Sequence, residues 1–225
     1  MKMRKHEFGN QDEREKGREL TEAEKRRLAQ FEKLTEQMIE KGYKKVELTV
    51  GIMKANAFAL ILLAPAALIG FGLFHLVNGG IEFESIRGLP ITGFLIFMAV
   101  YLVLIVVHEL IHGFSWAIFT EHHFQDVEFG FMKEYLTPYC TCKVPLLKGQ
   151  YIVGALMPLI VLGILPMAIG IAVGSAPVLV MGILMTDAAA GDILIVWNIL
   201  RYKTSASEVV YIDHPTQAGG VIFEK

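Results

Sequence analysis

Four long apolar blocks constrain the fold of this chain more than any other feature of its sequence. They cover about residues 55–76, 91–119, 151–173 and 177–200. Each has at least about 20 residues, enough for a helix rising ~1.5 Å per residue to cross ~30 Å of hydrocarbon. The apolar content of 53% also exceeds the roughly 45–50% of ordinary soluble domains. These blocks predict four transmembrane helices, of which the last two are joined by a short link and form an antiparallel hairpin.

Polar segments flank and separate the apolar blocks. Residues 20–41 predict an amphipathic surface helix, because Thr21 and Glu24 fit a capping box and Gly42 fits a C-terminal stop. Between the second and third blocks, apolar and polar residues alternate around 127–131, which predicts a β-hairpin close to the membrane. The expected fold class is an all-α membrane protein with four transmembrane helices, a small β-hairpin loop and an N-terminal amphipathic helix.

The distribution of basic residues predicts the domain organisation and the membrane topology. We expect a cytoplasmic N-terminal segment at 1–54, a four-helix transmembrane core at 55–200 and a cytoplasmic C-terminal tail at 201–225. With residues 120–150 also inside, the cytoplasmic segments hold 20 of the 21 Lys and Arg residues, and Arg87 is the exception. This predicts a multi-pass protein of a bacterial or archaeal cell membrane, with both termini cytoplasmic and the lipid bilayer as a partner. The net charge of -2 gives no indication of nucleic-acid binding.

The second apolar block contains a pattern that indicates metal chemistry. His108 and His112 are four residues apart, so on a helix they share one face and can bind one metal ion. Glu109 lies next to them and is the only carboxylate of the block. Charged groups at membrane depth cost several kcal/mol and usually mark function. The pattern predicts a zinc site in which Glu109 acts as general base.

A catalytic zinc normally has three protein ligands and an open position for water. Asp187 and Asp192, in the fourth apolar block, are the candidates for the third ligand. In the predicted topology, Asp192 is level with His108, whereas Asp187 lies about 7.5 Å further out at ~1.5 Å per residue. Gly191 and three alanines precede Asp192 and allow close helix packing. Asp192 is therefore favoured as the ligand, and Asp187 remains the alternative.

Other potential ligands fit the pattern less well. His122 and His123 follow the second block by a few residues and are expected at the membrane interface. Cys140 and Cys142 are two residues apart in a predicted strand, where they share a face without a second pair of ligands. We interpret these cysteines as structural.

Several short segments of the chain resemble a known family. They are His-Glu-Leu-Ile-His-Gly at 108–113, Tyr-Cys-Thr-Cys at 139–142, the segment from Tyr151 to Pro158, and Ala-Gly-Asp at 190–192. Together they resemble the DUF3267 family of putative zincin peptidases, which is similar to the site-2 protease group of intramembrane metalloproteases. The resemblance covers about residues 43–215. In site-2 proteases the third ligand is an aspartate followed by glycine, whereas here Gly191 precedes Asp192.

These observations predict an intramembrane zinc metallopeptidase that cleaves a membrane protein or peptide near the cytoplasmic side. Two other classes remain open, a catalytically silent zinc-binding membrane protein and a small metal-ion carrier. Glu109 discriminates between them, because a carrier needs no base beside its ligands. The substrate and the oligomeric state do not follow from the sequence.

Overall fold

Helices make up most of the described chain. The computed structural model of the protein describes residues 20–80, 90–132 and 137–225, so that residues 1–19 and Arg87 lie outside the described part. The helices of the described residues are α1 Glu22–Glu40, α2 Ile52–Asn78, α3 Ile91–Ala117, α4 Lys148–Pro158, α5 Leu165–Val173, α6 Ala176–Ala188 and α7 Ala190–Arg201. The strands are β1 Lys44–Thr49, β2 Val127–Met132, β3 Thr137–Cys142, β4 Leu146–Leu147, β5 Val209–Asp213 and β6 Gly219–Glu224.

The four apolar blocks are all helical. Within the described ranges, three helices are long and apolar enough to cross a membrane, namely Met53–Asn78, Ile91–Ala117 and Lys148–Val173. The last of these contains a π-helical turn between α4 and α5, where Pro158 and Pro166 lack the N–H groups that an α-helix uses. The fourth block differs from a single straight span, because α6 and α7 meet at an angle of 48°.

A four-stranded antiparallel sheet corrects the expectation of an all-α fold. Its strand order is β1-β6-β5-β4, so it joins the segment before α2 with the end of the chain. The region 201–225, expected to be a tail, contributes the two central strands. Their β-branched and aromatic residues can bury both faces only after long-range pairing, for which the local sequence gives little signal. The division of the chain at residues 54 and 200 stays a prediction, although strand pairing crosses both boundaries.

The N-terminal helix and the hairpin form close to their expected positions. Helix α1 begins after the capping box of Thr21 and Glu24, in which both reciprocal hydrogen bonds are present. Phe31 and Met38 of α1 pack against the four-stranded sheet. The hairpin is a separate two-stranded sheet in which β2 pairs with β3, with Phe129 opposite Cys140.

The two sheets lie where the apolar helices begin or end. Strands β1 and β4 lead directly into α2 and α4, β5 follows α7, and the hairpin follows α3. One buried apolar cluster joins these elements, and it includes Leu48, Trp116, Tyr151 and Tyr211. The ends of α3, α4 and α7 are thereby held next to the sheets, and the candidate site lies in this part of the molecule.

Candidate metal centre

Helix α3 holds the two histidines of the motif on its buried face. The residues His108 and His112 are only 6% and 4% exposed, whereas much of the helix is open to its surroundings. Their Nε2 atoms face each other at a distance of 3.1 Å. The i,i+4 spacing thus brings two nitrogen ligands to one point.

The break between α6 and α7 determines where Asp192 lies. Because α7 begins at Ala190, Asp192 is in its first turn, where the positive end of the helix dipole favours a carboxylate. Its Oδ2 atom is 3.1 Å from Nε2 of His108 and 3.4 Å from Nε2 of His112. Two histidine nitrogens and one carboxylate oxygen therefore form a triangle between α3 and α7.

The dimensions of this triangle fit a zinc ion. A tetrahedral ion with bonds of about 2.0–2.1 Å to nitrogen requires ligand atoms that are roughly 3.3 Å apart. The three observed separations of 3.1, 3.1 and 3.4 Å lie close to that value. Among the described residues, His108, His112 and Asp192 form the cluster of histidine and acidic side chains suited to a metal ion. Their role as ligands stays a prediction.

The surroundings of His112 determine which of its nitrogens can bind a metal. Nδ1 of His112 is 2.9 Å from the backbone carbonyl of Gly154. A carbonyl only accepts, so Nδ1 carries a hydrogen, and Nε2 is the nitrogen available to a metal ion beside Asp192. The imidazole also stacks on the indole of Trp116, at 5.2 Å between ring centroids. Both contacts fix the orientation of the His112 ring.

The hairpin holds Glu109 beside the two histidines. The backbone N–H of Cys140 is directed at the Glu109 carboxylate. This contact needs a close approach of the hairpin to α3, which the lack of a side chain at Gly113 permits. A Cβ atom added there would lie only 2.2 Å from Cζ of Phe129. Glu109 thus has a fixed place next to the cluster without belonging to it.

A cavity of about 300 Å³ gives access to the cluster. It is lined by Glu109, His112 and Asp192, and also by residues of α1, β3 and the turn between β5 and β6. Arg27 of α1 joins these walls, because it donates to the carbonyl of Pro215, forms an ion pair with Glu128 and contacts the hydroxyl of Tyr139. The cavity has room for a peptide segment and water.

The competing candidates lie elsewhere. Asp187 is outside the cluster, as are His122, whose imidazole is 62% exposed, and His123, whose ring contacts the carbonyl of Ala117. Both cysteines are in β3. Burial raises the pKa of the Cys142 thiol to about 12 and that of the Cys140 thiol above its usual range, so both stay protonated at neutral pH. Their structural interpretation stays a prediction.

The sequence prediction assigns no role to three groups around the site. They are the carbonyl of Gly154, the side chain of Tyr151 and the carboxylate of Asp213, which accepts a hydrogen bond from the Tyr151 hydroxyl at 2.5 Å. Runs of β-branched and aromatic residues at 209–212 and 221–223 could have indicated the strand that carries Asp213 and its neighbour. No sequence pattern indicates that these strands return to the cavity.

The fold and the cluster together define a mainly helical protein with membrane-length apolar helices and a potential centre for a metal ion. Residues 101–207 match the model of the DUF3267 family, described as a putative zincin peptidase. This match confirms the predicted resemblance to DUF3267 over slightly less than half of the chain, and it suggests a metal-dependent peptidase. The predicted similarity to site-2 proteases is not shown by it. No curated protein and no solved structure was found to match the chain.

Proposed function

We propose that this chain is a membrane-embedded zinc metallopeptidase that hydrolyses peptide bonds of membrane-associated substrates. One observation carries the proposal above all others. Two imidazole nitrogens and a carboxylate oxygen converge within 3.4 Å in a cavity that also contains the carboxylate of Glu109. A metal triad beside a separate carboxylate is the arrangement that hydrolysis of an amide requires.

His108, His112 and Asp192 would hold the metal. When bound, zinc supplies Lewis acidity, which acidifies a water ligand toward a pKa of about 7 and polarises a carbonyl oxygen. The protein contributes the geometry for this chemistry. The hydrogen bond from His112 Nδ1 to the Gly154 carbonyl leaves Nε2 as the nitrogen that can bind the metal, and the position of Asp192 in the first turn of α7 favours its ionised form.

Glu109 moves the proton in the proposed reaction. One of its carboxylate oxygens takes a proton from the attacking water, and the same carboxyl later gives a proton to the leaving amide nitrogen. The backbone N–H of Cys140 is directed at this carboxylate and would help to hold it in place during both transfers. Such general acid–base catalysis contributes typically ~10²–10⁴-fold to the rate.

Strand β3 offers an edge to an extended substrate. Among the described residues it pairs with β2 alone, and Thr137, Pro138 and Tyr139 line the cavity. A substrate helix hides its peptide bonds in its own hydrogen bonds, so the cleaved segment must unwind before hydrolysis. The N–H groups of Cys140 and Cys142 on the outer edge of β3 already face Glu109 and Asp213, so the backbone carbonyls of that edge would pair with the unwound segment by β-addition.

The proposed location is a cell membrane crossed four times, with both termini and the site toward the cytoplasmic side. The bent α6–α7 pair counts as the fourth span if it crosses as one unit. Two observations support this topology. The predicted inside segments contain 20 of the 21 basic residues. The same segments contribute the described strands, which gather at the helix ends that would face the cytoplasm.

Metal analysis of the purified protein tests the proposal. We expect about one zinc ion per chain in protein purified without chelator, because a three-ligand site with one open position is the usual catalytic arrangement. H112A and D192A should each lose most of the zinc, since each removes one ligand. D187A is the matched control and should keep it. Absence of zinc from the wild-type protein, or loss of zinc in D187A but not in D192A, would contradict the assignment.

A further inference from the structure

The carboxylate of Asp213, at the end of β5, connects two walls of the cavity. Its Oδ1 accepts a hydrogen bond of 2.5 Å from the Tyr151 hydroxyl of α4. Its Oδ2 accepts one of 2.7 Å from the backbone N–H of Cys142 in β3, and the Thr141 side chain lies nearby. Asp213 also lines the cavity that contains Glu109. A carboxylate with this many donors is anchored on both sides.

The bond to Cys142 fixes the position of β3 relative to α3. In an antiparallel strand, alternate residues direct their N–H groups away from the paired neighbour. The N–H groups of Cys140 and Cys142 both leave the hairpin in this direction, and each meets a carboxylate, Glu109 for Cys140 and Asp213 for Cys142. While Asp213 binds the N–H group of Cys142, the N–H group of Cys140 stays directed at Glu109.

The bond to Tyr151 fixes the position of α4. Tyr151 is fully buried, and its own carbonyl accepts a hydrogen bond from the indole of Trp116, which stacks on His112. One turn further along α4, the carbonyl of Gly154 accepts the hydrogen bond from His112. The anchor on the Tyr151 hydroxyl therefore lies one helical turn from the group that orients a proposed metal ligand.

We propose that Asp213 is a positioning residue of the active site, which ties β3 and α4 together so that Cys140 meets Glu109 and Gly154 meets His112. This inference rests on the proposed peptidase function for its effect on rate. The hydrogen bonds by which Asp213 links β3 and α4 do not depend on that function. Asp213 lies beyond residues 101–207, so the family match does not include it.

The test compares D213N with E224Q in the full-length, zinc-loaded protein. Glu224 accepts a hydrogen bond from Tyr202 at 2.9 Å, so E224Q changes a similar tyrosine–carboxylate pair outside the cavity. Hydrolysis of fluorescein-labelled casein gives kcat and KM. Hydrogen–deuterium exchange of the peptide that contains residues 137–142 reports on β3 without reference to activity.

For D213N we expect faster exchange in residues 137–142 and a kcat lowered between about 10- and 100-fold, the scale of a misplaced catalytic group. At neutral pH, the KM, zinc content and unfolding temperature should stay at the E224Q values. If D213N does not fold, Y151F replaces it, because it removes only the hydroxyl, and it should change exchange and kcat in the same direction. In a folded D213N protein, Y151F should add no further loss of kcat.

Unchanged exchange of residues 137–142 in D213N, or in Y151F if it is used, would overturn the proposal. The proposal would also be overturned if kcat fell only as far as the fraction of folded protein falls. If the wild-type protein does not cleave casein or any other peptide, the peptidase function fails, and the exchange data still decide whether Asp213 ties the two walls.

Discussion

Burial shifts the pKa values of two neighbouring side chains at the end of β5, Asp213 and His214, in opposite directions. Loss of water contact raises the pKa of the Asp213 carboxyl to about 6, despite the hydrogen bonds that it accepts. Burial lowers the pKa of the His214 imidazole to about 4. The folded protein thus holds a proton on Asp213 more tightly than the unfolded chain does, and on His214 less tightly. At the scale of residues, these two side chains make opposite contributions to the pH dependence of stability.

The signs of these two shifts lead to a prediction. Stability from Asp213 is present at low pH and is lost as the pH rises to about 6, whereas stability from His214 is lost as the pH falls to about 4. The two contributions oppose each other between these values in the wild-type protein. D213N removes the contribution of Asp213 and leaves that of His214. Between about pH 4 and 6, the unfolding temperature of D213N should therefore rise more steeply with pH than that of the wild-type protein.

Thermal unfolding of both proteins in the same detergent across this pH range measures the effect. The zinc site titrates in both proteins, so its contribution cancels in the difference between them. Parallel curves for D213N and the wild-type protein would show that Asp213 does not carry the raised pKa.

At the scale of elements, the contact between the hairpin and α3 holds the proposed base in place. Gly113 is the point of closest approach, where an added Cβ would lie 2.2 Å from Cζ of Phe129 and 3.1 Å from Sγ of Cys140. In G113A the Phe129 ring of β2 must move, and the Cys140 side chain of β3 must give way by a few tenths of an ångström. Overpacking of this kind costs typically 1–3 kcal/mol. The Cys140 N–H would also lose its alignment with Glu109.

We therefore expect G113A to lower both the unfolding temperature and the rate of peptide hydrolysis. Gly72 of α2 provides the matched control, because an added Cβ there meets no atom within 4 Å. G72A should keep wild-type stability and rate, since alanine is the better helix former. The close packing of the hairpin on α3 would be in doubt if G113A behaved like G72A.

The sequence predicts the elements of this protein better than it predicts their breaks and long-range partners. Uninterrupted apolar runs indicate α2 and α3, and the Thr21–Glu24 capping box indicates the start of α1. The 48° bend before Asp192 has no such signal, because the alanines around it favour a helix. The pairing of β1 with β6 joins the segment between α1 and α2 to the last strand of the chain, which no local pattern can specify.

The candidate site shows the same difference between local sequence signals and long-range contacts. The i,i+4 spacing of His108 and His112 is a local signal, and the depth argument selects Asp192 because helices have a constant rise per residue. The structure brings these three side chains together, while their binding of a metal stays a prediction. Asp213 and the Gly154 carbonyl reach the site only through tertiary contacts, so no sequence pattern identifies them.

At the scale of the whole molecule, the apolar helices and the two sheets divide the protein into two parts. The exposed surfaces of α2 and α3 are rich in leucine, isoleucine and phenylalanine, as expected for helices that face lipid. The sheets, α1 and the ends of α3, α4 and α7 surround the cavity. We expect the cavity to open near the cytoplasmic surface, so a substrate would be cut in the inner half of its membrane segment.

Cysteine labelling tests this topology. In a background with C140S and C142S, a membrane-impermeant maleimide added to intact cells should label E84C, between the first two apolar blocks, but not S205C, after the last one. After permeabilisation, S205C should react, because Ser205 is exposed. Labelling of S205C in intact cells would contradict the cytoplasmic location of the C-terminus.

The most direct measurement of the central claim is zinc content and peptide hydrolysis on the same preparation of E109Q and wild-type protein. Glutamine keeps the shape of the side chain but cannot accept the proton, whereas His108, His112 and Asp192 remain. We predict that E109Q folds, keeps about one zinc per chain and loses hydrolysis of labelled casein by ~10²-fold or more. An E109Q protein that keeps wild-type hydrolysis while zinc is bound would contradict the account.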